Sequence, residues 1–478
     1  MKTVRFVLMC GVLGAMAFGQ SAAAQDKDQT TFYDENGLKL RWHFQAGAYF
    51  GGESNIFWDL GAATGAGAGF DPDTVWQEFF IKPGISFEYM LDNSALFYGK
   101  LSAVSSYTAG TDPFDEGDNG DTTIEEAYLA VRGGSEQLSY DVSVGAREFR
   151  LGTGMLIATG ATSGFERGAL KFGPRKAWER SVTAEVSSNG ITGSVFFLDP
   201  NELPSTNGDN ELAGFDLRYD GENGRYLGAT YVDVLNSGSP YPQAAPGGIG
   251  APTVITGARE GTETLAVYGG TGGLSGALEN WSFTADVALQ RNDTVDLEAW
   301  AGRVQASYEF DDVTWSPRVT LGYQTFSGDD PDTPELERFD PLYYEGSPAA
   351  WATGTKSAST FINSNVNALS LAMQGRPSPR ETVTLRYAHI RANELNSPIQ
   401  FGQATRVDTT GGGANVVSGV SDAHLADDLF LEYFRIINPN AFLTVGLAVS
   451  YPGSGIKDIV GSDADPWTGA FINVVINF

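Results

Sequence analysis

From residue 38 onward the chain alternates apolar and polar side chains with a period of two. In "RWHFQAGAY" (41–49), Trp42, Phe44, Ala46 and Ala48 fall on one side, and Arg41, His43, Gln45, Gly47 and Tyr49 on the other. The same period recurs near 38–49, 75–90, 95–107, 122–132, 138–149, 178–187, 190–198, 212–220, 225–234, 262–270, 281–290, 298–310, 315–326, 359–373, 381–391, 428–437, 441–450 and 468–478. Each such segment predicts a strand with one apolar and one polar face. Tight turns at Asp92-Asn93, Gly133-Gly134, Asn189-Gly190, Gly221 to Gly224, Asp311-Asp312, Pro377 to Pro379 and Asn438-Pro439 take turns with long segments at 50–74, 108–121, 150–177, 199–211, 235–261, 327–358, 392–427 and 451–467. A soluble sandwich has no reason to sort its connections by parity, whereas a barrel crossing a bilayer does. The expected fold is all-β: a single antiparallel transmembrane β-barrel of 18 strands, or 16 as the alternative, with long extracellular loops and short periplasmic turns.

The solvent explains the alternation. Within a bilayer every backbone polar group needs a protein partner, so only helices or closed barrels span it. No stretch of about 20 apolar residues follows residue 24 that would make a spanning helix. In the final "FINVVINF", Ile472, Val474, Ile476 and Phe478 share one apolar face. Terminal strands of this kind resemble the assembly signal of bacterial outer-membrane proteins, which implies the barrel-assembly machinery as a partner and outer-membrane lipid as the surroundings.

At the other end, Lys2 and Arg5 precede an apolar run from Phe6 to Phe18 and then Ser21-Ala22-Ala23-Ala24. This reads as a secretory signal peptide over 1–24, leaving 25–478 as the barrel. The only cysteine, Cys10, lies inside it, so the remainder contains no disulfide. Removing Lys2 and Arg5 takes the formal charge from −29 to −31, a balance that argues against nucleic acid. Glycine at 59 residues, 12% aromatic and only 19% charged residues suit turn-rich β-structure.

Alternation assigns faces. Trp42, Phe44, Phe79, Ile81, Phe87, Val142, Val144, Phe215, Leu217, Val304, Tyr308, Leu321, Tyr323, Leu385 and Tyr387 point to lipid. The opposite faces carry Lys39, Arg41, His43, Lys82, Lys100, Arg132, Arg147, Arg218, Arg303, Arg318 and Arg386, together with Glu78, Glu88, Asp141, Glu185, Asp216 and Glu309. Rings of inward arginine and lysine favour anions in a pore, and arginine suits bidentate contact with carboxylate or phosphate. Facing rows of opposite sign would instead neutralise one another in a merely hydrated lumen.

The external loops gather acids in "DPFDEGDNGD" (112–121) and "SGDDPDTPELERFDP" (327–341). Such clusters could bind calcium through carboxylate oxygens, although neither has EF-hand spacing, and plain solvated loops are the favoured reading. The segment "LGTGMLIATGATSGFERGALKFGPRKAWER" (151–180) is different: Arg167, Lys171, Arg175, Lys176 and Arg180 outnumber Glu166 and Glu179. With Arg150 it is an inserted extracellular loop, near 151–177, that constricts the mouth, lids the rim or meets the anionic lipopolysaccharide surface. Gly152-Thr153-Gly154 is no phosphate loop, because no Gly-Lys-Ser/Thr follows. An enzyme is not expected: His43, His389 and His424 sit in no nucleophile–base motif, and no cofactor site is recognisable.

The blocks "GAREFRLGTGMLIATGATSGFERGALKFGPRKAWE", "FFLDPNELPSTNGDNELAGFDLRYDG", "LERFDPLYYEGSPAAWATG", "INSNVN" and "LRYAHIRANEL" resemble the alginate-export family of outer-membrane porins. The resemblance implies an eighteen-stranded, monomeric rather than trimeric barrel that passes an anionic uronate polymer through an arginine-rich constriction, with Arg147, Arg150, Arg167 and Arg175 at the matching positions. The sequence departs from that pattern after Arg150, where Gly152-Thr153-Gly154-Met155 replace a tryptophan-rich charged stretch. A passive barrel imposes no direction, so uptake of acidic oligosaccharides fits as well as export. A general porin of low selectivity, or a structural or adhesive barrel with a closed lumen, are the rival readings.

Overall fold

The computed structural model describes residues 30–60, 71–91, 95–114, 116–135, 137–345, 351–354, 361–401 and 416–478. The expected leader, 1–24, lies outside the described residues. Eighteen strands, from Leu38–Ser54 to Trp467–Asn477, form one closed antiparallel barrel. Each strand pairs with its neighbour in sequence, and the ring closes where the first strand pairs with the last, from Gln45↔Asn477 to Ser54↔Thr468. No described helix is long and apolar enough to cross a membrane.

The eighteen expected segments all coincide with strands. The weakest two, 262–270 and 281–290, are Glu263–Thr271 and Trp281–Asn292. The largest displacement is at 359–373, observed as Val366–Ser378. There Asn365 takes a left-handed φ of 54° and its amide donates to the carbonyls of Glu394 (3.1 Å) and Ser397 (3.2 Å), so the ladder starts only beyond it. Long connections collect on one rim and short ones on the other, with 293–296 a tight turn on the long-loop rim.

The closure seam has a feature that alternation alone did not predict. The first strand runs lower than the last, and its protruding residues 38–41 pair with an additional short strand, Thr31–Glu35. Asn36 and Gly37 join the two with φ of 52° and 78°, the paired left-handed geometry of a tight Asn-Gly hairpin. The Phe478 and Phe44 backbones exchange hydrogen bonds of 2.8 and 3.1 Å, and Trp42 N–H reaches the Thr30 carbonyl at 3.0 Å. The edge of the first strand is thereby covered along its length, which removes the unpaired groups that lipid would not tolerate.

The outer surface is an apolar band, with Ile81, Val144, Leu217, Val287, Val304 and Leu321 each exposed. Of the fifteen residues assigned to lipid, Phe44, Phe87 and Tyr308 are partly covered and the rest are exposed. Aromatic residues mark its edges: Tyr89, Tyr140, Tyr219 and Phe283 towards the short turns, Tyr107, Trp300, Tyr387 and Tyr451 towards the long loops. This is the girdled profile of a lipid-facing wall.

The long loops turn inward. Ile56, Phe57 and Trp58 from one loop, Leu151 to Ile157 from a second, Phe339, Leu342 and Trp351 from a third, and Ile399 and Phe401 from a fourth join a single buried apolar cluster. The upper lumen therefore holds a core of its own.

Candidate functional site

The inner wall is built by the residues whose side chains alternate away from lipid. Lys39, Arg41, Lys82, Lys100, Arg132, Arg147, Arg218, Arg303, Arg318 and Arg386 all lie on that face. The structure sorts them by partner. Glu88 is shared by Arg41 at 2.9 Å and Arg132 at 3.1 Å. Lys100 meets Glu126 at 2.5 Å. Arg147 meets Asp141 at 3.1 Å and stands over the Tyr128 ring at 4.9 Å. Arg218 meets Asp220 at 2.7 Å and covers Tyr226 at 4.5 Å.

Lys82 is buried. Its ammonium lies 3.0 Å from Glu125 and 2.7 Å from Glu148. Glu125 and Glu126 are neighbours in sequence, yet both are buried inside. The cause is a bulge: Ser102 pairs with Glu126 but Ala103 pairs with Ile124, so Glu125 has no strand partner and rotates inward. Period-two reading places one of two adjacent residues outside, and so missed this pair.

The segment between Arg147 and Trp178 enters the barrel. The backbone amides of Lys171 (3.0 Å) and Phe172 (3.0 Å) donate to the Glu78 carboxylate, which also accepts from the Trp76 indole at 3.0 Å. The Phe172 ring packs edge-on against the inward rings of Tyr49 and Phe80. Towards the opposite wall, the Thr153 hydroxyl bonds Asp286, and the Trp351 indole donates to the Thr153 carbonyl at 3.0 Å. The segment thus spans the lumen and is held at both ends.

Its cations have divided duties. Arg167, 4% exposed, donates to the carbonyls of Thr162, Asn201 and Glu202 at 2.7–3.0 Å. Arg175, fully enclosed, donates to Thr123, Ser106 and the Asp121 carbonyl at 2.7–3.0 Å. The Lys171 ammonium lies 3.9 Å from Glu53, and the Lys176 amide bonds Glu125 at 2.8 Å. Arg167, Lys171 and Arg175 therefore face the joint between segment and wall, satisfying oxygens that no ladder reaches. Arg150 is the more open cation, bonded to Glu345 at 2.5 Å and the Thr153 carbonyl at 2.8 Å.

One side of the lumen differs. Beneath residues 352–354, a recess of about 400 Å³ is lined by Arg303, Arg318 and Arg386 with Gln324, Gln374 and Thr384. Arg303 is fixed between Asp286 (3.4 Å) and the face of Trp351 (3.5 Å). Among the described residues the Arg318 guanidinium donates only to the neutral Ser282 hydroxyl, at 2.8 Å; Glu309, opposite it in the ladder, lies 4.0 Å from Arg376. Arg386 forms no ion pair among the described residues. Two guanidiniums without an ion pair among the described residues thus face one water-accessible recess, whose lining also includes the buried carboxylate of Asp428.

The acidic loops are internally engaged. Asp112 accepts the amides of Phe114 (2.9 Å) and Glu116 (3.2 Å). Asp329 accepts those of Ala244 (2.6 Å) and Glu337 (2.8 Å), and Asp340 pairs with Arg259 at 2.5 Å. Burial pushes the Asp112 carboxyl up to about 7 against the two amides, which oppose that rise.

The model of a family described as "Alginate export" matches residues 207–469. Comparison with curated proteins returns no match. Among solved structures, OmpF of Salmonella typhi in complex with daunomycin is 12% identical with a TM-score of 0.44, covering 94% of this chain and 100% of that one. A loop L8 deletion mutant of OmpT, an outer membrane protein of Vibrio cholerae, is 10% identical with a TM-score of 0.41, covering 93% of this chain and 100% of that one.

Proposed function

The chain belongs to the alginate-export family, and from that premise and the luminal charge we propose that it is an outer-membrane channel for passive diffusion of anionic solutes, uronate or other acidic saccharides foremost. The observation that carries the reading is the recess at Arg318 and Arg386. The other luminal cations that have a carboxylate at hydrogen-bond distance are largely neutralised, whereas these two make no ion pair among the described residues and outnumber the one carboxylate in their recess, Asp428. Arginine there offers a planar donor fork to a carboxylate. Side-chain amides and hydroxyls of Gln324, Gln374 and Thr384 suit sugar hydroxyls. Binding of this kind is weak enough for release, as conduction demands.

The long-loop rim is taken as extracellular and the short-turn rim as periplasmic, following the usual asymmetry of bacterial barrels. The inserted segment and the third long loop narrow the path above the recess. No step requires a cofactor, and the solute's own gradient drives it.

The test is reconstitution in planar bilayers with a salt gradient, together with liposome swelling in neutral sugars and in uronate oligomers of matched size. Anion-favouring reversal potential and faster uronate entry support the reading. Cation preference, or equal rates for charged and neutral sugars, defeats the selectivity and leaves a general porin. Absence of conductance steps favours the structural barrel with a closed lumen.

A further inference from the structure

Two of the three histidines in the chain converge on one aspartate outside the lumen. His389 lies on the strand Glu381–Ala392 and Asp427 on the adjacent strand His424–Asn438, which begins with His424. Residues 385 and 387 on one strand, and 429 and 431 on the other, are exposed to the exterior, so the same parity puts His389 and Asp427 on the outer wall. The strand ends nearby lead into the connection 393–423, which places the group close to the long-loop rim.

The geometry is that of a ligand set. One nitrogen from each histidine and one carboxylate oxygen all lie within 4.8 Å of one another. His389 Nδ1 is 2.8 Å from Asp427 Oδ1, and His424 Nε2 is 2.9 Å from Asp427 Oδ2. The two imidazole rings stand 4.7 Å apart and 30° from parallel. Despite its short approach, His424 Nε2 makes no aligned hydrogen bond and is shielded from solvent. A shielded nitrogen beside a carboxylate oxygen, without the line-up of a hydrogen bond, is what two ligands of a shared cation leave between them.

The surroundings agree. The Tyr387 hydroxyl donates to Asp427 Oδ1 at 2.6 Å, the outer contact that orients a ligating carboxylate. The His424 backbone amide donates to Asp422 at 2.9 Å, fixing the start of its strand. Arg391, opposite His424 in the ladder, has Asp422 as its electrostatic partner. The remaining histidine, His43, bonds Ser86 at 2.7 Å far away in the lumen and serves as an internal control.

We propose that His389, His424 and Asp427 form a site for one divalent first-row transition cation, zinc foremost, on the outer wall beneath the 393–423 connection. Two imidazoles and one carboxylate are a donor set for zinc with a fourth position left to water. Bound there, the ion ties two strands at the base of a long loop. Nothing in this site depends on the luminal reading.

The full chain, folded in detergent and stripped with a chelator, is titrated with Co²⁺ followed by its visible absorption, then with Zn²⁺ in competition. One equivalent per chain is expected, with an absorption typical of low-coordinate cobalt that zinc abolishes. His389→Ala and Asp427→Asn lose this signal, His43→Ala retains it, and Tyr387→Phe weakens binding about 10–100-fold. Retention of the signal in the His389→Ala/His424→Ala variant overturns the proposal. Heat-modified gel mobility verifies that each variant is folded. On the wild-type chain alone, zinc protects His389 and His424, but not His43, from carbethoxylation read by mass spectrometry; equal labelling with and without zinc also overturns it.

Discussion

The ring of Phe172 meets that of Phe80 edge-on, centroids 4.9 Å apart and planes at 72°, which makes the inserted segment part of the inner packing of the wall. The contact is possible because Gly47 lies beneath both rings: a Cβ there would sit 2.3 Å from Phe80 and 2.8 Å from Phe172. Phe172→Ala removes one buried ring, a change worth about 3–5 kcal/mol in a close-packed site, and Gly47→Val overfills the same place. Both variants are expected to loosen the segment and raise single-channel conductance while the barrel stays folded. Unchanged conductance in both would show that the segment does not limit the path.

A second expectation concerns Lys82. Its ammonium bridges the buried Glu125 and the more exposed Glu148, and Glu125 also accepts the amides of Lys176 (2.8 Å) and Ala177 (3.2 Å). Breaking a buried pair by removing one member costs about 3–5 kcal/mol, because the other charge stays behind unpaired. Lys82→Met strands the buried Glu125 carboxylate, while Glu148 is open to water, and is expected to lower the urea midpoint, read by gel mobility of folded against unfolded barrel. Lys100→Met, whose side chain is more open than that of Lys82, is expected to have a smaller effect.

These two sites also show what the sequence could and could not convey. Strands, faces and the inward cations follow from period two, since a wall with lipid on one side and water on the other requires it at every turn of the chain. Arg318 and Arg386 were legible for that reason. Glu125 was not, because a bulge breaks the period at that residue. Whether Arg167 and Arg175 face water or the joint depends on where a loop folds, and periodicity says nothing about loops. The pairing of His389 with His424 is invisible for another reason: only the ladder between two strands brings them together. The covering strand Thr31–Glu35 did leave a trace, the Asn36-Gly37 dipeptide.

The third expectation follows from the recess at Arg318 and Arg386. Arg386→Ala removes a cation that holds no ion pair among the described residues, so stability is expected to change little while anion preference falls several-fold. Arg318→Ala gives up, among the described residues, only the bond to Ser282, and the double variant is expected to be the least selective. Arg218→Ala, which removes a cation already bound to Asp220, serves as the contrast and is expected to shift the reversal potential less. The differences shrink as salt rises from about 0.1 M to about 1 M, since the screening length falls from about 10 to about 3 Å. A reversal potential unmoved by the double variant would remove the recess from the conduction path.

The last expectation is a pH dependence at the base of a long loop. Asp112 is buried and its carboxyl is pushed up to about 7 in the fold, above the ordinary aspartate value of about 3.9 in an unfolded chain. Between those two values the folded loop holds a proton that the unfolded loop releases. Its stability is therefore greatest below about 4, declines as pH rises towards about 7, and levels off above that. Asp112→Asn keeps an oxygen to accept the Phe114 and Glu116 amides without a charge to bury, so its loop is expected to be pH-independent and firmer than wild type at pH 8. Amide hydrogen exchange across 110–119, corrected for intrinsic rates at pH 5.5 and 8, measures this. Greater protection in wild type at the higher pH would reverse the sign and show that the carboxylate, not the acid, is the form the loop is built around.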